Sequence, residues 1–495
     1  MEQSKGAFIN IVLYQTLKLK NLEDFIFDDL PFPQDFIQDK PLIDKYVALK
    51  KEKKNSFFDV EEFEIIIDYY IFTFDTKEAQ TAVAKATSQH PDSNCLKIKK
   101  AYVLTVVGQM RKALILLQQV VSVEPLNYEV HQLMAMTYSK TGKTDKAIES
   151  YMKAITYCNK EEKVQIMIDL ALEFSNVNRF DESLKLLKTI VLLNPKEDFA
   201  IYELQFCLHK AGRLDEGPAI FQQIIDLNPY SIAAWFNLGV CYGNNEKHTE
   251  ALEAYDYALA INEKHTPSLF NKGNMLYQME EYSKALEAYQ MVVNVEEPMA
   301  ITYCNMGECH EQLMEFEQAL KYYYKALEMD PSFADAHIGC AIAEDLLGNT
   351  DKAVECIEKA LKISPSSSDY RHFYAEMLKK AKQYDKAITV FEKALKNSKN
   401  DISTYLGYFD CLFVTNQDEK AMDVISQGFK NLGEQDELSV RFLALLTRQG
   451  KMKKASILLE TLLNSNKSIG RKFLSYHPQA SEKREVIQLI NEYSH

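Results

Sequence analysis

Cys304, Cys309 and His310 stand within one short stretch, and His337 and Cys340 follow further along the chain. Thiolate and imidazole donors of this kind suit a tetrahedral zinc site. Against that chemistry, Cys207, Cys241, Cys309 and Cys411 recur at one register position of a repeat described below. A recurrent cysteine column is better read as small buried hydrophobes than as ligands, so no metal centre is expected. The ten histidines fall at scattered positions, beside no motif-like Ser, Cys or Asp pair, and read as surface or satisfied core residues. No phosphate-cradling G-x-x-x-x-G-K-[ST], dinucleotide G-x-G-x-x-G or nucleophile-elbow G-x-S-x-G occurs. The expectation is no catalytic residue, no cofactor and no enzyme.

Composition narrows the remaining classes. The chain has 495 residues, of which 46% are hydrophobic and 26% charged, and 71 acidic against 57 basic side chains give a net charge of −14. Nucleic-acid affinity rests on Lys and Arg neutralising phosphates, so the acidic balance disfavours DNA or RNA. Sixteen glycines and thirteen prolines are too few for a collagen-like, linker-rich or Greek-key chain. No run approaches the roughly 18 consecutive apolar residues of a membrane span, so no membrane insertion is expected. Residues 7–14 follow a single Lys5, are interrupted by Asn10 and lack a small-residue cleavage site, which argues against a signal peptide. Nine irregularly spaced cysteines fit a reducing, cytoplasmic location better than a disulfide scaffold.

The elements that must position any site come from a 34-residue period. With Ile232 as position 1, repeats start at 60, 94, 128, 164, 198, 232, 266, 300, 334, 368, 402 and 436. Position 20 is alanine in ten of the twelve, with Ser183 and Gly217 the exceptions, and a small residue there lets a second helix approach a first. Position 8 is glycine or alanine in eight, including Gly239, Gly273, Gly307 and Ala341, and is expected to receive that contact. Position 24 is bulky throughout, as in Tyr151, Phe221, Tyr255, Tyr289 and Tyr323, and should fill the gap between neighbours. Position 32 is proline in six, where the ring ends the second helix. The segment Trp235-Phe236-Asn237-Leu238-Gly239-Val240-Cys241-Tyr242, followed by Ala251, Tyr255 and Ala258, resembles the tetratricopeptide repeat pattern.

That resemblance implies an all-α, right-handed α-α superhelix, a solenoid of about twelve helix pairs over 60–469, in which each pair docks on the next. Residues 1–59 form an N-terminal extension with a capping helix at 42–54, and residues 1–41 read as an arm or as packing on the first repeat. At 470–495 a C-terminal capping helix is expected, with Ser481 as its cap and Val486, Leu489, Ile490 and Tyr493 as its apolar stripe. Gly217-Pro218 and Gln205 depart from the repeat pattern and suggest a looser joint near 198–231.

The resemblance also puts positions 2, 5, 6, 9, 12 and 13 of each first helix on or near a concave groove. Asn237, Asn271 and Asn305 form a ladder at position 6 that could pair with the main chain of an extended peptide, or merely brace a neighbouring helix. Phe236 and Phe270, Asn274 and Glu308, and Tyr277 and Glu311 surround it. Residues 232–367 carry 9 basic and 22 acidic side chains, a local net of −13, whereas residues 370–495 carry 20 basic and 15 acidic. A basic or aromatic-bearing protein or peptide partner is therefore expected. No repeat has Lys or Arg at position 5, which argues against the carboxylate clamp that holds acidic chaperone tails. The function read from the sequence is a non-enzymatic interaction scaffold that binds an extended peptide or partner helix in the concave groove; the alternatives are assembly or self-association through convex faces and termini, and, behind it, an enzyme with a site hidden on the array.

Overall fold

The structure, a computed structural model, describes residues 34–52, 56–296, 299–397 and 400–493. The arm reading of residues 1–33 lies outside these. Among the described residues there are 27 α-helices, two short 3-10 turns and no strand.

Helix α1 (Gln34–Lys51) precedes twelve helix pairs. In order these are α2 (Val60–Phe72) with α3 (Thr76–Gln89), α4 (Asn94–Val106) with α5 (Met110–Val123), and α6 (Tyr128–Lys140) with α7 (Thr144–Tyr157). They continue as α8 (Lys160–Asn176) with α9 (Phe180–Leu193), α10 (Asp198–Lys210) with α11 (Gly217–Leu227), and α12 (Ile232–Asn244) with α13 (His248–Ile261). Next come α14 (Thr266–Gln278) with α15 (Tyr282–Val295), α16 (Ala300–Gln312) with α17 (Phe316–Met329), and α18 (Ala334–Leu346) with α19 (Thr350–Ile363). The last are α20 (Ser368–Lys380) with α21 (Tyr384–Asn397), α22 (Ile402–Val414) with α23 (Asp418–Leu432), and α24 (Asp436–Arg448) with α25 (Met452–Ser465). Helices α26 (Ile469–Tyr476) and α27 (Arg484–Tyr493) follow, joined by the 3-10 turn Pro478–Glu482.

Local chemistry explains these boundaries. Asp59, Ser93, Asn127, Asn159, Ser231, Ser367 and Asp401 cap first helices by accepting from backbone N–H groups one turn in. Each pair then turns through a residue at position 15 with left-handed φ, from Phe74 and Gly108 to Asn416 and Gly450, in all twelve repeats. Five of these are glycine, which adopts that conformation without the steric cost other side chains meet. A second recurrent device ties a pair to its predecessor. His131 bonds the Pro125 carbonyl, Trp235 donates to Pro229 O, His337 bonds Pro331 O and Arg371 donates to Pro365 O. All four side chains stand at position 4, so at least His131 and His337 share a register position and are not scattered.

The chain divides into two compact units, Met1–Met275 and Leu276–His495, and the division falls inside α14 instead of at the fifth pair. Each unit is an all-α solenoid whose apolar core is a succession of clusters along the stacked pairs, as a fold built from nearest-neighbour docking requires. In both units the atoms nearest the space above a position 8 glycine belong to the position 24 tyrosine. A Cβ on Gly239 would lie 2.6 Å from Tyr255 Cε1, and one on Gly307 the same distance from Tyr323 Cε1.

Three local features differ from the sequence reading. Helix α1 starts at Gln34 and runs through Pro41, with Ile43 and Tyr46 buried after the proline; those anchors hold the helix despite the one N–H that proline lacks. The C-terminal segment is two helices, and Ser481 lies in the turn between them, its hydroxyl donating to Pro478 O instead of capping α27. In the fifth pair, a 3-10 turn at Leu214–Glu216 leads into α11 of only 11 residues. Gly217 there approaches Cys241 so closely that a Cβ would come within 2.3 Å of its Sγ. Arg213 pairs with Glu216 and Asp181, and Lys188 with Glu216, so ion pairs brace this turn.

Candidate protein-binding groove

The first-helix residues expected in the groove separate into a packed set and a presented set. In the first unit, Phe236, Asn237, Phe270, Asn271 and Asn274 are all buried. Phe236 packs against the rings of Tyr202, Tyr255 and His265. Asn271 stands beside the Tyr255 hydroxyl without closing a good hydrogen bond. Asn237, only 1% exposed, has no partner for its Nδ2 among the described residues.

The second unit shows what position 6 does. Asn305 Nδ2 donates to Tyr289 Oη at 3.4 Å, joining position 6 of one repeat to position 24 of the repeat before it. Asn271 stands in the same relation to Tyr255. For Asn237 the equivalent ring is Phe221, which has no hydroxyl to meet its amide. Where position 6 is Gly339, the Tyr323 ring sits directly on its Cα and the Tyr323 hydroxyl turns instead to Glu311 Oε2, at 2.9 Å.

Tyr277, Asn305, Glu308 and Glu311 are half-buried and remain partly presented. Glu308 and Glu311, one helical turn apart on α16, share an electrostatic neighbourhood with Asp335 at the start of α18. No ion pair between described residues involves any of the three. Burial, with the charges of Glu311 and Asp335 added, pushes the Glu308 carboxyl up to about 7. Burial also raises Glu311, partly offset by the Tyr323 hydrogen bond. Tyr277 lies edge-on to Tyr282 with centroids 5.3 Å apart; burial chiefly, then Glu308, Cys309 and Glu311, raise its hydroxyl pKa. Asp335 and Tyr370, whose hydroxyl donates to Asp335, are members the sequence reading did not name. Asp335 was findable, since it occupies position 2 of its repeat; Tyr370, at position 3, carried no such signal. Chemically the set offers negative charge, carboxyl acceptors and phenol rings without a resident cation.

Of the cysteines and histidines first singled out, Cys304, Cys309 and His310 share α16 with these acids, and His337 and Cys340 lie on α18. Cys304, Cys309 and Cys340 are buried free thiols, and burial raises each. His310 stacks on Tyr322 and bonds Glu315, and His337 bonds Pro331 O. Among the described residues no three His, Cys, Asp or Glu side chains converge to hold a metal ion.

Comparison with known proteins agrees with this register. The tetratricopeptide repeat profile matches residues 232–265 and 300–333, and a second tetratricopeptide profile matches 129–227. The chain is a tetratricopeptide repeat protein. Its array also matches the N-terminal tetratricopeptide region of Psidin over 70–170 and subunit 3 of the anaphase-promoting complex, or cyclosome, over 346–428. Human protein O-mannosyl-transferase TMTC1 is 28% identical over 123 residues, which are 24% of this chain and 14% of that protein. The chain thus spans a small part of that relative's length. Among solved structures, the array is similar to the APC/C hetero-tetramer Cut9-Hcn1, with TM-score 0.40, 15% identity and coverage of 84% of this chain and 94% of that one. It is also similar to YrrB, a tetratricopeptide protein with an unusual peptide-binding site, with TM-score 0.32, 17% identity and coverage of 37% and 95%. Among the described residues no helix of the array is long and apolar enough to cross a membrane.

Proposed function

We propose that this tetratricopeptide array is a non-enzymatic, cytoplasmic protein interaction scaffold that holds an extended peptide or partner helix along its first helices. The observation that carries the reading is the half-buried pair Glu308 and Glu311 with the exposed Asp335 in their electrostatic neighbourhood, a carboxyl set that forms no ion pair among the described residues and is flanked by Tyr277 and Tyr370. Two half-buried acids with a third acid close enough to raise one of them are strained electrostatically, and a Lys or Arg from a partner relieves that strain. The phenol rings add a surface for the stem or the cation of such a side chain. Asn305 contributes at the groove, while Phe236, Asn237, Phe270, Asn271 and Asn274 serve as packing that supports first helices.

The test is fluorescence anisotropy with synthetic Lys- and Arg-bearing peptides. Glu308→Gln combined with Glu311→Gln is expected to weaken the best of them by about ten-fold, and binding to the unaltered protein should weaken with added salt. Equal affinity in both proteins, or indifference to salt, would sink the reading. A second reading, assembly through outer faces, is favoured by exposed apolar side chains that recur at position 30, among them Val123, Leu193, Leu227 and Met329. Sedimentation of a stable oligomer that dissociates on Leu193→Glu with Leu227→Glu would support it.

A further inference from the structure

The groove register continues into the eleventh and twelfth pairs, where it names Asp410 at position 9, Phe413 at position 12, Arg441 at position 6 and Arg448 at position 13. There the surface is already engaged, by the chain itself. Tyr476, the last residue of α26, donates its hydroxyl to Asp410 Oδ1 at 2.7 Å, across 66 residues of sequence. Arg441 grips both oxygens of the same carboxylate, at 2.8 and 3.0 Å, and its guanidinium lies 4.7 Å from the Tyr476 ring centroid. Phe413 meets the Tyr476 ring at 6.2 Å and the His477 ring edge-on at 5.6 Å, while Arg448 lies 3.7 Å from the Phe413 centroid. Every element of tyrosine recognition is present: a fixed anion for the hydroxyl, a cation on the ring face and an aromatic wall.

Covering the end of the array does not require this arrangement. The cap buries Ile469, Phe473, Ala480, Val486 and Ile490 against Leu443, Leu459 and Leu463. Tyr476 stands at the edge of that core, half-buried, and points its polar end at first-helix residues of the eleventh pair. A cap that only shielded apolar surface has no need to send a phenol to an aspartate on α22, four helices back.

We propose that Asp410, Phe413 and Arg441 form a binding site for a tyrosine side chain carried on an extended segment, and that Tyr476 occupies it in cis and closes that end of the groove. This rests on the groove reading for its register, but it lies apart from Glu308 and Glu311. A partner segment bearing tyrosine competes with Tyr476 for the site, so the cis residue sets a threshold for binding there.

The probe is a fluorescein-labelled synthetic peptide with the sequence of residues 469–483, added to the full chain. Because an occupied site lowers apparent affinity by the fraction open, Tyr476→Ala is expected to bind the peptide about ten-fold more tightly than the unaltered chain. The gain should vanish when Asp410→Ala is added, and with a peptide whose tyrosine is replaced by alanine. Equal binding by the unaltered chain and Tyr476→Ala would overturn the proposal, as would a gain that survives Asp410→Ala. Should Tyr476→Ala not fold, Tyr476→Phe removes only the hydroxyl and is expected to tighten peptide binding about three-fold; no change would overturn the proposal. Lys- and Arg-peptide binding at Glu308 and Glu311 is read separately in the same proteins, so failure here leaves that result standing and the reverse.

Discussion

Phe221 and Asn237 pose the question of what a position 24 ring without a hydroxyl does to the amide it meets. Position 24 tyrosines and position 6 amides face each other across neighbouring repeats, as Tyr289 and Asn305 do. At the fifth pair the ring is Phe221, and both Asn237 Nδ2 and Gln205 Nε2 are buried without partners among the described residues. An unsatisfied buried amide costs more than a made hydrogen bond returns. Phe221→Tyr is therefore expected to stabilise the array by about 1 kcal/mol, measured by urea denaturation, because its hydroxyl would lie where Asn237 can donate. A lower midpoint would show that register equivalence fails here. The asparagines were legible as a column, but not as a set split between packing and presentation. Their burial depends on the ring contributed by the preceding repeat, which lies 16 residues away in the chain.

At the scale of elements, the fifth pair departs most from its neighbours. Its second helix is short, begins from a 3-10 turn and carries Gly217 where ten repeats have alanine. The sequence alone suggested a loss of packing at that glycine. Cys241, in the next first helix, fills the space that a methyl group would take. Gly217→Ala is expected to cost about 1–3 kcal/mol through overpacking. Adding Cys241→Ala should recover most of that loss, a coupling that a double-mutant cycle by thermal denaturation reads directly. Additive effects of the two changes would show that they are not in contact. Ser183, the other exception at position 20, makes the same cross-repeat contact with Cys207, at 3.4 Å. Exceptions in one column are thus answered in another, and only the packed pairs reveal which.

For the whole molecule, charge is the property most exposed to solution conditions. Glu308 is held near 7 by burial and by its acidic neighbours Glu311 and Asp335, against an ordinary carboxyl value of 4.5. A raised folded-state value means that the folded chain binds the extra proton between those two pH values. Stability from this group is therefore present below the unfolded value and is lost as pH rises towards 7. Glu308→Gln should raise the melting temperature at alkaline pH and change it little at acid pH, by differential scanning calorimetry. A shift equal at both extremes would contradict the assigned cause. Cation binding at the same site is expected to run the opposite way and tighten as Glu308 ionises. What the sequence by itself determined was the period, the helix pairs and the all-α class, since small, bulky and helix-ending residues recur at fixed offsets and each repeat depends only on its neighbours. It also located the acidic stretch, because composition needs no coordinates. Only the tertiary structure decided that Asn237 and Asn271 are packed, that Asp335 joins Glu308, and that Tyr476 lies on Asp410. Those outcomes depend on distances between repeats and between chain segments far apart in sequence, which no local pattern encodes.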